Sequence, residues 1–78
     1  MRRKTLHLVI TFNTTTEAMA MEDLCKSRHA PGRMIPVPQS ISAGCGLCWC
    51  AQPDDRETLQ ALMQEAGLEP ENITECMV

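Results

Sequence analysis

Leu6, Leu8, Ile10 and Phe12 alternate with His7, Val9 and Thr11 near the start of the chain. A period of two predicts a strand with one well-buried face, because successive side chains of a strand point to opposite sides. Thr14-Thr15-Thr16-Glu17 then offers a capping box, with Thr14 as N-cap and Glu17 at N3. Ala18, Met21, Leu24 and Cys25 follow at helical spacing, and this helix stops before Pro31-Gly32, which cannot continue it. Arg33 to Val37 reads as a short strand. Pro36 and Pro38 remove backbone donors, so the strand belongs at a sheet edge.

Gln39 to Gly44 is a polar connection, and Gly46 to Ala51 returns as a third strand. On it Leu47, Trp49 and Ala51 share one face and Cys48 and Cys50 the other. We expect Leu47 and Trp49 to face the helices, leaving Cys48 and Cys50 on the open face. Pro53-Asp54-Asp55-Arg56-Glu57 is a second helix start, with Asp54 as cap. Leu59, Leu62, Met63 and Ala66 give its apolar stripe, Gly67 suits its C′ position, and Leu68 is placed to pack back on Met63. Ile73 to Val78 forms a short last strand, although Glu75 interrupts it.

The order is β-α-β-β-α-β. With right-handed crossovers this predicts an α+β, ferredoxin-like fold: a four-stranded antiparallel sheet with two helices on one face. The alternative is a small α/β fragment that completes its sheet by dimerising. The 78 residues hold one domain, 1–78.

Composition narrows the classes. With 44% hydrophobic and 22% charged residues at a formal net charge of −3, the chain is too apolar for disorder. Beyond Arg2-Arg3-Lys4 it has no basic stripe, and at 3% aromatic it has almost nothing to stack on a base, which argues against nucleic acid. No stretch approaches the ~20 apolar residues that span a bilayer. His7 and Thr11 interrupt the apolar run after Arg2-Arg3-Lys4, and no small-residue cleavage site follows, so a signal sequence is not expected and the cytoplasm is. There is no Ser/His/Asp set, no paired carboxylates in a plausible cleft and no phosphate loop, which leaves classical hydrolase and transferase chemistry nothing to stand on.

The chemical signal is in the cysteines. There are five, an odd number for a disulfide framework, and Cys45, Cys48 and Cys50 crowd into six residues. Such a cluster reads as thiol chemistry or metal binding. In the predicted topology the connection carrying Cys45 lies at the end of the sheet where the first helix begins. The free N–H groups of Thr15, Thr16 and Glu17 and the positive end of the helix dipole would lower the pKa of a thiol there. Gly44 and Gly46 let the backbone bend beside it and let another molecule approach the sulfur. Cys45-Gly46-Leu47-Cys48 is a C-x-x-C in which Cys48 would resolve a persulfide on Cys45 as a disulfide. Cys25 lies on the apolar stripe of the first helix and reads as core, Cys76 as incidental, and His7 and His29 as surface or packing residues. Structural zinc needs four ligands, and Cys45, Cys48 and Cys50 supply only three within one chain. A dimer sharing them around zinc or an iron–sulfur cluster is the metal alternative.

Ile35-Pro36-Val37-Pro38 followed by Ile41-Ser42-Ala43-Gly44-Cys45-Gly46 resembles a family of small bacterial domains, the selenium/sulfur carrier-like proteins. Thr11-Phe12, Thr16-Glu17-Ala18-Met19 and Glu22 match as well. The resemblance implies a stand-alone carrier in which Cys45 holds sulfur or selenium as a persulfide or selenosulfide. Pro36, Pro38, Ser42, Gly44 and Gly46 would support the segment that presents it. It also implies a donor enzyme such as a cysteine desulfurase, an acceptor protein, no cofactor, and a carrier role in place of turnover. A protein-interaction domain whose cysteines only pack is the remaining alternative. Cys48-Trp49-Cys50 departs from the family pattern, which continues with apolar and basic residues. The proline-protected edge favours a monomer or at most a weak dimer.

Overall fold

Two strands occupy the middle of the sheet, and their position explains most of the burial. The computed structural model describes residues 5–38 and 46–77. Its elements are β1 (Leu6–Thr11), α1 (Thr15–Arg28), β2 (Arg33–Pro36), β3 (Leu47–Ala51), a 3-10 turn (Pro53–Asp55), α2 (Arg56–Ala66) and β4 (Asn72–Met77). The sheet order is β2-β3-β1-β4, and each neighbouring pair is antiparallel. This is the α+β, ferredoxin-like order.

The alternation in β1 places Leu8 and Ile10 on the helix-covered face, and Phe12 extends it. They pack with Trp49 and Ala51 of β3, Ala18, Met21 and Cys25 of α1, and Leu59, Leu62 and Met63 of α2. Each such aliphatic or aromatic side chain contributes about 1.5–3 kcal/mol by leaving water. The expectation that only one face of β1 is buried needs correcting. Val9 and Thr11, on the other face, are 0% and 2% exposed, because β1 is flanked on both sides and its neighbours crowd both faces. Leu6, at the strand's free end, is 45% exposed.

Thr14 caps α1 as expected: its Oγ1 accepts from Glu17 N–H at 3.2 Å and donates to Glu17 Oε1 at 3.1 Å. The second cap falls elsewhere. Pro53–Asp55 winds a 3-10 turn first, in which Asp55 Oδ2 accepts from Gln52 N–H at 3.1 Å, so Asp55 and not Asp54 precedes α2. Asp54 lies inside the 3-10 turn, which moves the helix start past it. Ala66, expected on the α2 stripe, is exposed. Both helices end in a left-handed residue, His29 and Gly67. Leu68 N–H reaches Met63 O at 2.8 Å and Ala30 N–H reaches Cys25 O at 2.9 Å, closing two Schellman motifs.

Candidate functional site

Connectivity brings one group of segments to one end of the sheet. β1 finishes there at Thr11, α1 starts there at Thr15, β2 leaves there at Pro36 and β3 enters there at Leu47. Val37 N–H donates to Gly46 O at 2.9 Å, which ties together the two ends of the connection between β2 and β3. Ser42, Gly44 and Cys45 lie outside the described residues, as does the predicted Gln39 to Gly44 connection.

The residues that bracket this connection are well defined. Val37 turns its N–H toward β3, and antiparallel pairing alternates, so Pro36 and Pro38 stand where an N–H would point away from the sheet. Their missing donors leave the ladder intact and deny the outer edge two N–H groups. Gly46 has φ +75°, and a Cβ built on it meets nothing within 4 Å. The glycine is there for backbone conformation, not for want of room.

At the start of α1 the expected set of free donors is smaller. Glu17 N–H is held by Thr14 Oγ1 and Ala18 N–H by Thr14 O, leaving Thr15 and Thr16 to offer N–H groups. The cap that starts the helix consumes the third.

Cys48 and Cys50 occupy the face of β3 opposite Trp49, as expected, but that face is not open at these positions. Cys48 is 0% and Cys50 6% exposed, again because β3 is a central strand. Burial pushes the Cys50 thiol upward; the Arg33 guanidinium, its partner across β2, pulls it partly back, and Cys76 adds to the rise. Cys25 sits on the other side of the sheet, inside the helix-covered core, where burial raises its thiol to about 11. That placement is as expected.

Two residues that carry no predicted chemical role, His7 and Arg33, share the thiol-bearing face. His7 pairs with Cys76 across β1 and β4, and Arg33 pairs with Cys50. His7 Nδ1 lies 2.9 Å from Thr5 O and 3.2 Å from Thr5 Oγ1. Strand parity alone points to these neighbours once the register is known. Among the described residues no three His, Cys, Asp or Glu side chains form a group that could hold a metal ion. The ligand set Cys45, Cys48 and Cys50 includes a residue outside that search. Among the described residues no helix is long and apolar enough to cross a membrane.

No curated protein and no solved structure matches the chain. The model of the family described as "Putative Se/S carrier protein-like" matches residues 7–75. That span includes every strand but the ends of β1 and β4, both helices, and the whole β2–β3 connection, so the chain belongs to this selenium/sulfur carrier-like family.

Proposed function

We propose that the protein is a sulfur or selenium carrier that holds the chalcogen on Cys45 as a persulfide or selenosulfide. The observation that carries this reading is family membership across residues 7–75, a span that contains Cys45. The fold supports it: the connection bearing Cys45 has both ends, Val37 and Gly46, at the end of the sheet where Thr15 and Thr16 start α1. A thiolate near those N–H groups is stabilised by them and by the helix dipole.

Loading is thiol exchange at sulfur. The Cys45 thiolate attacks the outer sulfur of a donor's persulfide, the donor's S–S bond breaks, and the donor leaves as its thiolate. A thiolate on the acceptor then takes that outer sulfur from Cys45 in the same way. Neither step consumes an external oxidant. The donor is a persulfide-forming enzyme of the cysteine desulfurase type, and the acceptor is a second protein.

Intact mass after incubation with a cysteine desulfurase and cysteine tests this. Wild type is expected to gain one sulfur, and Cys45→Ser to gain none at that position. A wild-type protein that stays at its starting mass, or a Cys45→Ser variant that loads at an unchanged level and site, defeats the reading.

A further inference from the structure

On the face away from the helices, at the end opposite the β2–β3 connection, a cavity of about 350 Å³ opens onto Cys50. His7, Gly32, Arg33, Gln52 and Asp55 line it with the thiol. Arg33 stands directly across from Cys50 in the β2–β3 ladder, and His7 precedes by two residues Val9, the partner of Cys50 in β1. Among the described residues Arg33 makes no ion pair. The one carboxylate in the wall, Asp55, already accepts from Gln52 N–H. An available guanidinium and a thiol thus line one open pocket.

We infer that Cys50 is a second sulfur-holding site, which takes a sulfur atom from a small anionic hydropersulfide or hydropolysulfide entering the cavity beside Arg33. The inference rests on the carrier reading for the class of cargo, but on Cys50 and not Cys45 for the site. With hydrodisulfide as donor the step balances: Cys50–SH + HSS⁻ gives Cys50–S–SH + HS⁻. As the Cys50 sulfur attacks the protonated sulfur of HSS⁻, its proton passes to the other, departing sulfur, and the S–S bond breaks to expel hydrosulfide. The product explains the surroundings. A buried thiol beside one cation stays protonated and quiet when empty. A hydropersulfide is more acidic than a thiol, so the loaded form ionises and pairs with the Arg33 guanidinium. Cys50 itself is 6% exposed, which shields the loaded sulfur from bulky reductants that do not fit the cavity.

The test uses the full chain, inorganic hydrodisulfide as the probe, alkylation to trap persulfides, and fragment-ion mapping of each cysteine. In Cys45→Ser we expect one added sulfur on Cys50. In Arg33→Gln we expect the Cys50 signal to fall by about fivefold, the size appropriate to a solvent-facing cation, with loading of Cys45 unchanged. Arg33 is exposed on an edge strand, so this variant keeps the fold, and matched far-ultraviolet circular dichroism checks that it does. A folded Cys45→Ser protein with no sulfur on Cys50 overturns the inference. So does a Cys50 signal that Arg33→Gln leaves at the wild-type level. Sulfur on Cys45 but not Cys50 in wild type defeats this site and leaves the carrier reading standing; the reverse pattern defeats Cys45 alone.

Discussion

Gly46 shows how one residue sets the geometry next to the proposed acceptor. Its φ of +75° lies in the left-handed region, while the space around an added Cβ is empty. Gly46→Ala is therefore expected to destabilise the fold by about 1 kcal/mol through backbone strain alone, with Gly46→Asn costing less. Urea unfolding reads this as a lower midpoint at unchanged slope. An alanine variant as stable as wild type would show that the connection relaxes out of this conformation at no cost. The glycine was legible in the sequence as a bend beside Cys45. That it adopts a positive φ was not, because φ is a property of the folded chain.

At the scale of elements, capping chemistry was the most legible feature. Thr14 starts α1, and Gly67 with Leu68 ends α2 against Met63, all from local spacing. The miss at Asp54 has a local cause too: Pro53 fits a 3-10 turn as well as a first helical turn, and Asp55 holds Gln52 N–H in it. The end of α1 is less favourable than that of α2, because His29 adopts φ 55° without being glycine. His29→Gly is expected to stabilise the protein by about 0.5–1 kcal/mol. A rise in the urea midpoint checks this; a fall would mean that the imidazole makes a compensating contact worth more than the strain. The single ion pair seen between the helices among the described residues, Arg28–Glu65 at 3.8 Å, is more than half exposed at both ends and contributes little.

For the molecule as a whole, the thin core makes buried thiols matter to stability. Cys25 is held at about 11 against an ordinary 9.0, so folding favours its protonated form. Its stabilising effect is fully present below pH 9.0 and is lost as pH rises toward 11, because the unfolded chain ionises first. The loss amounts to about 2–3 kcal/mol, and Cys25→Ala is expected to flatten that part of the stability–pH curve. Identical slopes for the two proteins between those pH values would count against it. Alternation, helical spacing, caps and proline positions determined the strands, the helices and their order, because each depends on a few neighbouring residues. The same patterns put Cys25 in the core and Cys48 and Cys50 opposite Trp49. Only the tertiary structure decided how closely the neighbours of β1 and β3 cover the second face, which buries Val9, Cys48 and Cys50 where spacing left an open face. Register likewise decided that Arg33 and His7 meet the Cys50 cavity, since strand pairing joins residues far apart along the chain and no local pattern encodes it.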